Sequence, residues 1–336
     1  MCRREVLTLS NPSINHKDIA PELLNRMISR VSTVMVGKES EIRLVLMSML
    51  SGGHVLLEDV PGVGKTMLVR AIAACMGGSF GRIQFTYDLM PSDITGISVF
   101  HPHSGHFEFR PGPILSNVVL ADEINRASPR TQSALLESME EKKVTIDGTT
   151  YPLPRPFFLL ATQNPLQFEG TYRLPEAQLD RFLIRLSLGY PSPEQEMDLL
   201  SRMQINHPLE RLKPVIMVEE MEAMQQEVKS VYVDDSIKEM LVCIADNSRR
   251  HPKLHLGISP RGTLAWMVAS QATAYMNGRM YVTPDDIKET AVAVLSHRIV
   301  VHPHSLMEGI IGEEIVLELI SRINMSPNRS RNGSRP

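Results

Sequence analysis

Apolar positions along the chain change their period twice. From Ala20 to Leu50 they recur at three- and four-residue steps: Leu23, Leu24, Met27, Ile28 and Val31, then Ile42, Val45, Leu46 and Met49. That spacing predicts two amphipathic helices, broken at Val36-Gly37-Lys38-Glu39. Short apolar runs without polar alternation follow: His54 to Leu57, Arg82 to Phe85, Asn117 to Leu120, Phe157 to Leu160 and Phe182 to Leu186. Strands buried on both faces read this way. Helical patterns follow the first run, at Thr66 to Met76, and the third, at Ser128 to Glu141. The alternation predicts an α/β sandwich around a mostly parallel five-stranded sheet.

Two β-hairpins are expected to interrupt it. Val144 to Tyr151 carries an Asp147-Gly148 turn between β-prone residues. Val99-Phe100 and Phe107-Glu108-Phe109 flank a turn of His, Pro, Ser and Gly. After Tyr190-Pro191-Ser192-Pro193 helical spacing takes over, as in Ile237, Met240, Leu241 and Ile244. The expected organisation is a flexible arm over 1–18, an α/β domain over 19–190, an all-α domain over 191–324 and a disordered Ser/Asn/Arg/Pro-rich tail over 325–336.

Composition narrows the function classes. A 43% apolar, 22% charged chain of 336 residues has the make-up of a soluble globular protein. No apolar run reaches the roughly 18 residues of a membrane helix. No apolar stretch follows the charged start Met1-Cys2-Arg3-Arg4-Glu5, so no leader and a cytoplasmic location are expected. Cys2, Cys75 and Cys243 form no C-x-x-C pair, which argues against a zinc site or disulfide framework. A net charge of −3 offers no general attraction for nucleic acid. The 20 methionines read first as adaptable core filler.

The chemistry concentrates at strand ends. Asp59-Val60-Pro61-Gly62-Val63-Gly64-Lys65-Thr66 follows the first strand and opens a helix, as a P-loop requires. Gly62 and Gly64 let backbone amides curl around phosphate oxygens, and the helix N-terminus adds partial positive charge. Lys65 is expected to reach the β- and γ-phosphates, and Thr66 to offer its hydroxyl to Mg²⁺. Asp59 stands where the strict pattern has Gly; an ordinary Gly-rich turn is the plainer alternative. Val118-Val119-Leu120-Ala121-Asp122-Glu123 is a buried strand ending in two carboxylates. Asp122 suits the Mg²⁺ shell through water, and Glu123 suits the role of base toward the attacking water. Leu160-Ala161-Thr162-Gln163-Asn164-Pro165 ends a third strand in a polar group, and Asn164 could orient that water.

With these motifs the sequence resembles an AAA+ ATPase of the MoxR type, from about Ile19 to about Ile320. The resemblance is carried by Leu57 to Thr66, Leu120-Ala121-Asp122-Glu123-Ile124-Asn125-Arg126-Ala127, Ala161 to Pro165, Leu174 to Phe182, and Gly257-Ile258-Ser259-Pro260-Arg261. It implies a P-loop three-layer sandwich with an all-α lid, in a homo-oligomeric ring, usually a hexamer, with ATP and Mg²⁺ between neighbours. It implies that Asn164 is sensor 1, Arg181 an arginine finger and Arg261 the sensor-2 arginine of the lid. Val36 and Gly37 match the segment near the adenine. The implied nucleotide-binding set is therefore Val36, Gly37, Pro61, Gly62, Val63, Gly64, Lys65, Thr66, Met67, Asp122 and Arg261, with Lys65, Glu123, Asn164 and Arg181 in catalysis. The two hairpins fall where the clade carries inserts that face the pore or a substrate. Such proteins act as chaperones on client proteins, often with a separate partner bearing a von Willebrand factor A domain.

Other features are discounted. His101, His103 and His106 sit on an expected exposed turn, and His297, His302 and His304 are read as surface residues. Arg126 and Arg130 could contact an adjacent subunit, but a helix-start role near Ser128-Pro129 suffices. A nucleic-acid motor, a subunit of a metal chelatase and a nucleotide-gated switch without turnover remain as competing functions.

Overall fold

The computed structural model describes residues 16–321 except 61, 104, 165–170 and 206–207. The expected tail and most of the expected arm lie outside these residues, as does Pro61. Helix α1 (His16–Ser32) begins inside the span read as arm, and α2 (Glu39–Leu50) follows the break. Five parallel strands come next: β1 (Val55–Glu58), β2 (Phe80–Gln84), β3 (Val118–Asp122), β4 (Phe158–Gln163) and β5 (Ile184–Leu186), in the spatial order β2-β3-β4-β1-β5. Helix α3 (Lys65–Met76) links β1 to β2, and α4 (Pro129–Glu141) follows β3.

The strand runs lack alternation because both faces are covered. Val55 and Leu57 of β1, Val118 and Leu120 of β3, and Phe158 and Leu160 of β4 face one core with α1, α2 and α3. Their neighbours Leu56, Val119, Ala121, Leu159 and Ala161 face the other, with Leu135, Leu136 and Met139 of α4. A period of two sends successive side chains to opposite layers, so the chain forms the three-layer sandwich its pattern predicts.

The hairpins are Gly96–His101 with His106–Pro111, and Lys143–Ile146 with Thr149–Pro152. They touch through Phe109 stacked on Tyr151, ring centroids 4.1 Å apart. Asp147 (φ 50°) and Gly148 (φ 79°) both lie in the left-handed region that this tight turn demands. His101 pairs with Glu108 across the first hairpin, Nε2 to Oε2 2.6 Å.

The lid is helical: α5 (Pro193–Ile205), α6 (Val218–Lys229), α7 (Asp235–Arg249), α8 (Pro260–Met276), α9 (Pro284–Leu295) and α10 (Gly312–Ser321). Trp266 is fully buried, its indole N–H donating to Ile287 O at 3.0 Å. Met221, Met224 and Tyr275 of the lid share one core with Leu24, Met27 and Met49 of the first two helices. Gln225 donates to Met49 O at 2.7 Å. Methionine serves here as core filler. No described helix is long and apolar enough to cross a membrane.

His297 corrects its sequence reading: it is buried, not superficial, with Nε2 3.0 Å from Phe182 O. It lies just beyond α9, on a segment folded back against the start of β5, a packing that no local pattern announces. Burial holds its pKa well below the ordinary histidine value, helped by the Arg298 charge. His54, buried before β1, is pushed down to about 3 by burial and by Lys142. An unfolded chain protonates both near pH 6.5, whereas the folded chain cannot, so stability falls as pH drops below that value. Urea denaturation should show a loss of up to about 1.5 kcal/mol per histidine between pH 6.5 and pH 5. His297→Gln should halve the slope; a flat wild-type profile over that window contradicts the account.

Candidate active site

The P-loop leaves β1 and curls back into α3. Gly62 (φ 90°) and Gly64 (φ 91°) hold left-handed conformations that side-chain-bearing residues avoid. A Cβ at Gly62 would point into open space. A Cβ at Gly64 would press on Met35, 3.2 Å from its methyl carbon, which places the segment before Val36-Gly37 beside the loop. Lys65 Nζ donates to Asp59 O at 3.0 Å. Burial pulls the Lys65 pKa below the usual lysine value, opposed by the charges of Asp59, Asp122 and Glu123.

Asp122 ends β3 with both carboxylate oxygens engaged. Oδ1 accepts from Thr162 Oγ1 at 2.8 Å, and Oδ2 from Arg82 at 2.7 Å. Glu123 has φ 59°, a left-handed backbone that is rare outside glycine, and its N–H donates to the same Thr162 hydroxyl at 2.8 Å. One fully buried hydroxyl on β4 thus ties the acidic pair together. The Glu123 carboxylate accepts from Arg126 at 2.8 Å. Arg126 therefore faces the acidic pair rather than serving only the start of α4. Asn164 follows β4 at the level of Asp59, whose N–H donates to Gln163 O at 3.2 Å. Asn164 is buried, and its carbonyl accepts from Asn125 at 3.4 Å. Lys65, Thr66, Asp122, Glu123 and Asn164 thus gather outside the carboxyl ends of β1, β3 and β4, where open α/β sheets bind ligands.

Arg181 and Arg261 do not join them. Arg181 precedes β5 and pairs with Glu140, Nε to Oε2 3.2 Å; Arg261 Nη2 meets the other Glu140 oxygen at 2.9 Å. Gly52, Gly53 and His54 line the same cleft. These residues precede β1 and the P-loop follows it, so the length of the strand, roughly 13 Å, separates the two groups. Gly257 to Arg261 starts α8: Ser259 caps it, accepting from Gly262 N at 3.0 Å, and Pro260 opens it. Arg261 therefore sits in a first turn, where the helix dipole disfavours a cation; Glu140 offsets this.

Several residues of the site carried little signal. Thr162 stood out only as a polar residue near the end of an apolar run. Arg298 had none: it is buried and donates to Asp180 Oδ1 (2.8 Å), Phe182 O (2.7 Å) and Leu183 O (2.8 Å), fixing the segment that presents Arg181. Val36 and Gly37 line an open cleft with Thr33, Ser40 and Arg202 of α5.

The donor set fits a magnesium nucleotide. Thr66 and Asp122 supply hard oxygen ligands of the kind Mg²⁺ takes, and the glycine-lined loop suits a polyphosphate.

Comparison with known proteins agrees with this geometry. Residues 54–184 match the ATPase family associated with various cellular activities (AAA), and residues 246–319 match the AAA lid domain. The uncharacterised protein YeaC of Bacillus subtilis is 54% identical over 94% of this chain and 98% of its own. Chaperone MoxR1 of Mycobacterium tuberculosis is 39% identical over 89% of this chain and 81% of its own. A crystal structure of a Cytophaga hutchinsonii protein assigned as an ATPase superposes with TM-score 0.87 at 37% identity, covering 92% of this chain and 97% of that one.

Proposed function

Since the chain belongs to the MoxR family of AAA+ ATPases, we propose that it hydrolyses ATP between subunits of a ring, a hexamer by resemblance, and uses the cycle to remodel or assemble client proteins. The observation that carries this reading is the separation of the two basic groups. Arg181 and Arg261 stand at the end of the sheet away from their own P-loop, joined by one carboxylate. At that distance they suit a neighbour's γ-phosphate, and a guanidinium supplied by the next subunit couples docking to hydrolysis.

Within one subunit the contacts support the following roles. The loop amides and Lys65 bind the β- and γ-phosphates. Glu123 accepts a proton from the attacking water, which Asn164 orients. Thr162 keeps Asp122 and Glu123 in register, so base and metal ligand are aligned before substrate arrives. Bound Mg²⁺, held by Thr66 and by Asp122, would neutralise charge on the phosphate oxygens. Chaperone activity is named for the Mycobacterium tuberculosis relative. The client here, and a von Willebrand factor A-domain partner on a separate chain, extend that activity to this protein.

Replacing Lys65 with alanine tests the binding step. It removes a charged hydrogen bond worth about 1.5–3 kcal/mol, so affinity for a fluorescent ATP analogue should fall by about 10- to 150-fold. Unchanged affinity would sink the assignment of this loop.

A further inference from the structure

Asp59, which departs from the usual P-loop glycine, is not idle. Its side chain is buried, and Oδ2 accepts from Ser187 Oγ (3.1 Å), Leu188 N (2.6 Å) and Gly189 N (2.9 Å); Oδ1 accepts from Val60 N (3.0 Å). The three Oδ2 donors form the strap between β5 and the first lid helix, α5. The strap's carbonyls are held from the other side: Lys38 Nζ donates to Leu188 O and, at 3.4 Å, to Tyr190 O. Lys38 directly follows Val36 and Gly37, and Gly37 packs so closely on Gln195 of α5 that a Cβ would lie 2.0 Å from its amide nitrogen. Both candidate nucleotide-binding segments therefore grip the connection to the lid.

We propose that Asp59 is the positioning residue that carries phosphate occupancy of the P-loop to the lid. The inference rests on the nucleotide-binding reading above. Its backbone carbonyl accepts from Lys65, the group a phosphate would claim, while its carboxylate holds the strap. When Lys65 turns to phosphate, the bond to Asp59 O is released, and the peptide carrying the carboxylate is free to shift. The strap moves with it. Gly189, at φ 62° with open space where a Cβ would sit, can turn once its N–H leaves the Asp59 carboxylate, just before Pro191 and Pro193 stiffen the chain. The lid beyond carries Arg261, so a change at one subunit's phosphate would re-aim the arginine offered to the next. A glycine at position 59 provides the loop but not this linkage.

Hydrogen–deuterium exchange of a peptide spanning 184–192, with an ADP–Mg²⁺ binding titration on the same sample, tests it. In the wild type, ADP should change exchange in the strap about tenfold, the scale of one charged hydrogen bond. Asp59→Gly should exchange about tenfold faster without nucleotide and show no response to ADP. Its ADP affinity and KM should stay within about threefold while kcat falls, the signature of a group that acts in the transition state rather than in binding. Ser187→Ala, which leaves the P-loop untouched, should raise strap exchange in the same sense and serves should Asp59→Gly not fold. A wild type that binds ADP without altering the strap, or an Asp59→Gly protein that keeps the ADP response, overturns the proposal. A wild type that binds no ADP overturns the nucleotide reading as well, and the titration tells the two failures apart.

Discussion

Arg181→Ala should leave ATP binding near the wild-type level and lower turnover about 10³-fold or more, the range an arginine finger supplies. Arg181 and Arg261 present two guanidinium groups to one carboxylate, Glu140. A γ-phosphoryl group can replace that carboxylate, and a guanidinium beside it stabilises the charge that builds on the leaving β–γ bridge oxygen more in the transition state than in the ground state. An interaction that strengthens in this way lowers the barrier and leaves binding little changed. The decisive control is mixing. Arg181→Ala subunits mixed with Lys65→Ala subunits should regain activity, because each supplies what the other lacks across the interface. Single-site behaviour, with no recovery on mixing, would place the finger on its own subunit's nucleotide, contrary to the distance along β1.

Glu123→Gln should give the second large effect, a fall in turnover of about 10²–10⁴ with ATP retained, the usual range for loss of a general base. The amide keeps the side chain's size and can still accept from Arg126, but it cannot take a proton. Glu123 also holds a left-handed backbone anchored by Thr162, so its carboxylate is placed by the main chain rather than by rotamer chance. A single-turnover assay with radiolabelled ATP separates retained binding from lost chemistry. Release of phosphate at the wild-type rate would remove Glu123 from the role of base. The same variant, holding ATP, is the bait with which to capture the client protein.

Much of the architecture was legible because its causes are local. Runs such as Val118 to Leu120 must be buried on both sides, and the Asp147-Gly148 turn demands its own hairpin. The P-loop is read from contiguous residues because contiguous amides do its work. Elsewhere pattern misled or fell silent. His297 looked like a surface histidine among His302 and His304, yet the segment bearing it packs on Phe182, 115 residues away. Arg126 looked like a helix-start residue and faces Glu123. Asp59 read only as a departure from glycine, since its partners lie about 130 residues downstream.

By itself the sequence determined what is local: which strand ends carry a Gly-rich loop, an acidic pair and a polar asparagine, and which helices must cover the sheet. Hydrogen-bond donors, turn conformations and apolar period are properties of neighbouring residues, so they are written in order along the chain. Only the tertiary structure decided the partnerships. It set Thr162 between Asp122 and Glu123, Glu140 between Arg181 and Arg261, and the Asp59 carboxylate on the strap to the lid. Those pairings depend on which strand lies beside which and on how the lid folds back. They are selected by the packing of the whole core, which no stretch of sequence specifies alone.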